Sequence, residues 1–287
     1  MATLFKQMTI AGVGLIGGSL AMVARREGLV GTIVGFGRTE ANLDIARARG
    51  MIDSASRDPA QAAAGSDLLV LAVPILSMRA TLEKMVDHLA PDAVVTDVGS
   101  VKGWVVRELE PLLKPSMSLV AVHPVAGRET TGARSADDAL FRDHRVIVTP
   151  GPRSTEPALR SIEKLWAATG ARVERMDPEL HDALLARASH LPQILSSALA
   201  ASLLDEHVGG LWAAEFGAGG LRDTTRLAAS SWEMWRDIFV TNREALKAAM
   251  KLFAGTFEEF QRMIDAGDID ALQNLFERGR RMRERIK

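Results

Sequence analysis

Two side chains in the first half of the chain have the type and setting for acid–base chemistry. His123 ends the apolar run Ser118-Leu-Val-Ala-Val-His123, and Pro124 after it restricts the direction of the chain. An imidazole at the carboxyl end of a buried strand titrates near working pH. It can take a hydroxyl proton while a hydride leaves the same carbon. The competing reading is a histidine satisfied by backbone at a strand end. Ser100, in Asp97-Val-Gly-Ser100-Val-Lys102-Gly103, follows another apolar run. Its hydroxyl can donate or accept beside a ligand, or cap the helix expected from Val101, and the two roles can coexist. Lys102 suits either a substrate or phosphate contact or a solvated helix face.

A redox partner for such a base is suggested by Thr9-Ile-Ala-Gly-Val-Gly-Leu-Ile-Gly-Gly-Ser19. The order is strand, glycine turn, helix. Gly12 permits a tight turn, Gly14 lacks the Cβ that would hold a pyrophosphate away, and Gly17 allows close helix–strand packing. The phosphates would meet free N–H groups at the start of the helix, around Leu15 and Ile16. An ordinary strand–helix turn is the alternative. Where NAD-selective sites carry an acidic residue, this chain reads Phe36-Gly37-Arg38-Thr39. Arg38 can pair with a 2′-phosphate or stack on adenine, or simply be solvated. The cofactor is therefore read as NAD or NADP.

The elements that must hold these groups alternate in type. Apolar runs at 32–36, 67–73, 93–98 and 118–123 are separated by amphipathic helical patterns at 39–49, 75–89 and 101–113. Continuous apolar strands suit a parallel sheet buried on both faces, with ligands at the carboxyl ends of its strands. A further strand at 145–149, a helix at 156–169 and a strand at 172–176 extend the sheet edge. From Asp177-Pro178 onward no strand is expected. Helices are predicted over 178–206, 210–218, 230–266 (broken near Gly255) and 268–286. The expected fold is α/β, a Rossmann-like doubly wound, mostly parallel sheet over 1–176. An all-α domain over 177–287 follows it. Its Ala-rich helical faces predict a homodimer through the C-terminal helices, with a monomeric bundle as the alternative.

Composition narrows the function classes. The 287 residues are 47% hydrophobic and 25% charged, the mix of a soluble globular protein. A net charge of −1 gives no reason to expect nucleic acid or an anionic membrane as partner. No run approaches the roughly 20 apolar residues of a membrane helix. Met1 to Gln7 runs straight into the first strand, so no signal peptide is expected, and the location predicted is cytoplasmic. Cysteine is absent, which removes disulfides, thiolate metal sites and a cysteine nucleophile. No His/Asp/Glu cluster has ligand spacing, so no metal is expected.

Four motifs occur in order: DxGSxK at Asp97–Lys102, HPxAGxE at His123–Glu129, SHLP at Ser189–Pro192 and RDxTR at Arg222–Arg226. Together they resemble the prephenate dehydrogenase family of tyrosine biosynthesis, which comprises prephenate, arogenate and cyclohexadienyl dehydrogenases. The resemblance runs from Gly12 to about Asn242. It implies oxidative decarboxylation of prephenate to 4-hydroxyphenylpyruvate with hydride transfer to NAD(P). Conversion of arogenate to tyrosine, or use of both substrates, is the alternative. On the same basis His123 would hydrogen-bond the 4-hydroxyl of the cyclohexadiene ring, with Ser100 near both His123 and the nicotinamide. Arg226 would bind the ring carboxylate, its fork meeting two oxygens. Glu129 and Asp223 match acids of an ionic network closing the site, or else form surface salt bridges. His190 would orient its helix or touch substrate. Trp235 would lie near substrate, from its own or the partner subunit, or pack in the core. His88, His144, His181 and His207 are read as structural or solvated.

One position departs from the pattern. After SHLP many members carry a histidine that contacts the substrate's pyruvyl side chain, and here the residue is Gln193. Its amide can both donate and accept, so a keto group and an ammonium group both remain open. Two other readings keep the same fold. A β-hydroxyacid or imine-type dehydrogenase would place a catalytic lysine on an interdomain helix. A non-catalytic NAD(P) sensor would first lose Ser100, His123 or Arg226.

Overall fold

The computed structural model describes residues 3–128 and 130–286. Its centre is an eight-stranded sheet. The strands, in chain order, are β1 (Phe5–Ala11), β2 (Val30–Phe36), β3 (Ser54–Ser56), β4 (Leu68–Leu71), β5 (Val94–Asp97), β6 (Ser118–Val125), β7 (Arg145–Pro150) and β8 (Arg172–Arg175). Their spatial order is β3-β2-β1-β4-β5-β6-β7-β8. All neighbours are parallel except β6 and β7, which run antiparallel with His123 opposite Ile147. The order reverses between β1 and β4, which opens a crevice at the carboxyl ends of those two strands.

Strands β4 and β5 are buried along their whole length, as continuous apolar runs in a covered sheet must be. One core lies on the face covered by α1 (Leu15–Arg26), α2 (Glu40–Ala48) and α6 (Glu156–Ala167), with Trp166 and Phe141 fully buried in it. The other lies under α3 (Pro59–Ala63), α4 (Ile75–Met85) and α5 (Lys102–Leu109), where Leu69, Met78, Leu82 and Val105 pack. Strand β6 runs on to Val125, two residues past the expected end, because β7 pairs with it through Arg145.

The remaining chain is helical: α7 (Pro178–Leu185), α8 (Leu191–Ser202), α9 (Gly219–Thr225), α10 (Trp232–Thr241), α11 (Arg243–Ala266) and α12 (Ile269–Arg285). A π-helical turn, Ala186–His190, joins α7 to α8. It falls just before Pro192, which has no N–H to continue the α-helical ladder.

Two expectations about this half are corrected. Residues 207–212 form a short antiparallel hairpin, β9 (His207–Val208) and β10 (Leu211–Trp212), where helix was expected from Gly210. Gly209 and Gly210 both have positive φ (60° and 81°), the backbone of a tight two-residue turn that a helix cannot accommodate. The expected break near Gly255 is also absent. The interruption falls at Asn242, and α11 passes through Gly255 unbroken.

Candidate active site

The glycine turn has the geometry its spacing predicts. Gly12 adopts φ +97°, and a Cβ there would sit 2.4 Å from Ala72 O, so no other residue fits. A Cβ on Gly17 would lie 2.5 Å from Gly12 O and 2.8 Å from the Ile10 side chain, which is the close helix–strand approach. Gly14 differs, because a Cβ there would meet nothing within 4 Å. A side chain there would meet open space. Helix α1 begins at Leu15 with no capping side chain and no acidic residue in its first turn. Free N–H groups, a helix dipole and open space together fit a pyrophosphate. Arg38, beyond the end of β2, is exposed and makes no ion pair among the described residues.

Beside the crevice, at the ends of β5 and β6, three residues form a relay. His123 Nδ1 lies 2.9 Å from His181 Nε2, and His181 Nδ1 lies 2.8 Å from Asp182 Oδ1. Asp182 is docked on the start of α5: its Oδ1 accepts from Lys102 N (2.7 Å) and its Oδ2 from Gly103 N (2.8 Å). A carboxylate accepting hydrogen bonds takes one from His181 Nδ1–H, which leaves His181 Nε2 as an acceptor. His123 must then donate from Nδ1, so its Nε2 carries the free lone pair. Burial, followed by the nearby His181, Lys102 and His190, holds the His123 pKa well below the ordinary histidine value. A neutral base results, one that titrates lower than the near-neutral range expected of a strand-end imidazole, because it is buried.

Behind the relay lies a fully buried ion pair. Lys102 Nζ donates to Asp97 Oδ2 and to Val122 O (2.8 Å), while Asp97 Oδ1 accepts from Val122 N (3.1 Å). Both groups grip the backbone of Val122, the residue that precedes His123. Neither a solvated Lys102 nor a ligand-binding one matches this arrangement. Burial lowers the Lys102 pKa, and Asp97 opposes that shift. Ser100 is half-buried between β5 and α5. It does not cap the helix: the N-cap position is Val101, and Asp182 supplies the oxygens instead.

From Asp182 the network continues into the helical half. Asn242 Nδ2 donates to Asp182 O (3.0 Å) and approaches His190 Nδ1 (3.2 Å). His190 is buried and meets Trp235 edge to face, with ring centroids 5.9 Å apart. Burial pulls its pKa down to about 4, with Asp182 opposing and His181 assisting. One turn beyond, Gln193 Nε2 donates to Leu227 O (2.9 Å) and Ser197 Oγ (3.2 Å). Ser196 Oγ accepts from Ala228 N (3.1 Å). These bonds tie α8 to the 3₁₀ turn Arg226–Ala229 that carries Arg226. Two buried polar atoms here, Gln193 Oε1 and Trp235 Nε1, have no hydrogen-bond partner among the described residues. Such orphans are rare unless a ligand or water meets them.

The structure thus links His123 through His181, Asp182 and Asn242 to His190 and Trp235, and brings the Arg226 turn against Gln193. Arg226 and Asp223 are exposed, with no ion pair among the described residues. Glu129 lies outside the described residues. The principal residue that sequence reasoning missed is His181, which is buried in the relay rather than solvated or merely structural. A signal for it was present: His181-Asp182 sits in the first turn after the helix-starting Asp177-Pro178. Among the described residues no cluster of three His, Cys, Asp or Glu could hold a metal ion, and no helix is long and apolar enough to cross a membrane.

A dinucleotide turn at the switch point of a doubly wound sheet, with a neutral histidine two strands beyond β4 and helices behind it, defines an NAD(P)-dependent dehydrogenase. Comparison with known proteins narrows the class. Profiles described as the prephenate dehydrogenase nucleotide-binding domain and the prephenate dehydrogenase dimerization domain match residues 20–175 and 177–278. Cyclohexadienyl dehydrogenase of Zymomonas mobilis subsp. mobilis is 32% identical over 286 residues, 99% of this chain and 97% of that one. The prephenate dehydrogenase of A. aeolicus, solved with hydroxyphenyl propionate and NAD+, superposes with TM-score 0.90 at 32% identity, covering 97% of this chain and 98% of that one. Synechocystis arogenate dehydrogenase gives 0.87 at 27%, covering 98% of this chain and all of the other. The chain belongs to the prephenate dehydrogenase family.

Proposed function

We propose that the protein oxidatively decarboxylates a 4-hydroxycyclohexadiene carboxylate, prephenate or its amino counterpart arogenate, in tyrosine biosynthesis. The observation that carries this reading is the relay that leaves Nε2 of the buried His123 as an unprotonated base. His123 takes the C4 hydroxyl proton as hydride leaves C4. Electrons of the C1–carboxylate bond then enter the ring, carbon dioxide departs, the C4 oxygen takes its proton back from His123, and aromaticity makes the step irreversible. Bound NAD+ or NADP+ supplies the hydride acceptor. Its pyrophosphate would lie on Gly12, Gly14, Leu15, Ile16 and Gly17, with Arg38 at the adenosine end.

The other residues orient and charge the site. Ser100 is assigned to the substrate hydroxyl and the nicotinamide, and Arg226 to the ring carboxylate. His190 and Trp235 wall the substrate, and Asp223 closes over it. His181 and Asp182 are positioning residues for His123. Residues 1–176 form the dinucleotide-binding unit and 177–287 the helical one, which pairs with a second copy. In support, α10 to α12 leave Trp232, Phe257, Ile269 and Phe276 exposed in a single chain, an apolar surface of a kind that marks association. A cytoplasmic location accords with a chain free of cysteine.

The test is NAD(P)H formation with prephenate and with arogenate, each crossed with NAD+ and NADP+. Turnover of one or both is expected, and His123→Asn should lower kcat by about 10² or more with binding retained. Near-normal turnover in that variant would remove His123 as the base.

A further inference from the structure

Resting on the reaction proposed above, we infer that Gln193 selects the substrate with an α-ammonium group, arogenate, over its keto counterpart, prephenate. The sequence left both open because an amide can donate and accept. The structure divides those capacities. Leu227 O is a backbone carbonyl and can only accept, so it takes an N–H of Gln193 at 2.9 Å. That bond fixes which way the amide faces, because the flipped amide would set oxygen against oxygen. The second N–H reaches Ser197 Oγ at 3.2 Å. Both donors are committed, and Oε1 is left as a buried acceptor with no partner among the described residues. The residue is only 4% exposed, so bulk water does not satisfy it.

The position of this orphan agrees with the substrate's connectivity. The ring carboxylate and the three-carbon side chain leave the same carbon, C1. A group that reads the side chain must therefore lie beside the group that reads the carboxylate. Gln193 is bonded to Leu227, the residue next to Arg226. A keto oxygen offered to Gln193 Oε1 sets two lone pairs together and leaves both buried acceptors unpaired. An ammonium donates to it, with the bond strengthened by charge. Sites whose polar groups need a donor discriminate strongly against analogues that lack one.

Initial rates with both substrates at saturating dinucleotide test this without any variant. The wild-type kcat/KM should favour arogenate by about tenfold or more, the range of one charge-assisted hydrogen bond. Gln193→Met keeps the length and removes the acceptor, and it should bring the ratio towards one through a higher KM for arogenate. Gln193→His, whose ring can donate, should move the ratio towards prephenate, with tryptophan fluorescence reporting that the fold persists. Equal or greater efficiency with prephenate in the wild type would overturn the inference. So would a ratio that Gln193→Met leaves in place. Turnover of neither substrate would instead bring down the proposed reaction itself, and this inference with it.

Discussion

His181 Nε2 stands 2.9 Å from His123 Nδ1, fully buried, and turns an isolated strand-end histidine into the outer member of a three-residue relay. The inner member is anchored by two backbone N–H groups at the start of α5. Chain direction explains why this is stable. The first turn of α5 needs acceptors, and Asp182 supplies them from α7, so helix capping and base orientation use one carboxylate. Every hydrogen bond in the relay points the same way, and the only free nitrogen is His123 Nε2.

Asp182→Ala should break that direction. His181 Nδ1 would lose the carboxylate oxygen that holds its proton. The imidazole is then free to carry its proton on Nε2, against His123. The wrong tautomer of a base costs about 10²- to 10⁴-fold in kcat, with KM little changed. Steady-state kinetics on the folded variant would show it. A loss confined to KM would mean that Asp182 serves packing alone.

Arg226→Gln should do the reverse. The guanidinium is exposed and makes no ion pair among the described residues, so its removal leaves no buried charge and should shift the melting temperature very little. Loss of a bidentate carboxylate contact should raise KM about 10- to 100-fold with a smaller change in kcat. Unchanged KM for both substrates would remove Arg226 from the binding site.

How much was legible beforehand follows from the range of the interactions. The Gly12–Gly17 turn is local, so strand, glycines and helix could be read off one short stretch. The buried strands β4 and β5 were equally plain, as unbroken apolar runs. His181 was not, because its role depends on a contact 58 positions away, made only when α7 docks on α5. Lys102 was misjudged for a similar reason. A lysine near a helix start is ordinarily solvated, and only Asp97 together with Val122 O makes its burial tolerable. The Gly209-Gly210 turn carried a local signal that helical periodicity nearby outweighed. The Asn242 break answers a tertiary demand, since its amide reaches Asp182 and His190.

Gly14 and Gly17 should separate binding from folding. Gly17→Ala forces a methyl group to 2.5 Å from Gly12 O, and such overpacking costs about 1–3 kcal/mol. A lower melting temperature is expected with or without dinucleotide. Gly14→Ala has room, so stability should hold within about 1 kcal/mol. The methyl group would instead stand where the pyrophosphate approaches, raising the dinucleotide Kd. Titration calorimetry and thermal melts on the two variants check both statements. Unaltered dinucleotide affinity in Gly14→Ala would place the phosphates elsewhere.

Acid should weaken both activity and fold. His123 is held neutral well below the usual histidine range, so kcat/KM should stay level from pH 8 through 6.5 and fall only in more acid solution. For the fold, His190 has a pKa of about 4 against 6.5 unfolded. Between those values the unfolded chain binds the extra proton, so stability declines as pH falls from about 6.5 to about 4. The loss from pH 7 to pH 5 through His190 is about 2 kcal/mol. Urea melts at the two pH values should reveal it, and His190→Asn should show a shallower dependence. An equal slope in that variant would assign the sensitivity to other groups.

The buried pair of Lys102 and Asp97 should be costly to cut in half and cheaper to remove whole. Lys102→Met strands a carboxylate with no water to solvate it, and the loss should be about 3–5 kcal/mol. Pairing it with Asp97→Asn removes that charge while an amide oxygen can still accept from Val122 N, so the double variant should recover part of the loss. Recovery of stability need not restore turnover. The Val122 carbonyl loses its Lys102 donor in both variants, and the residue before His123 loses one of its two backbone anchors. A stable double variant with reduced kcat is therefore expected. Wild-type kcat in it would show that the pair supports the fold without aligning the base.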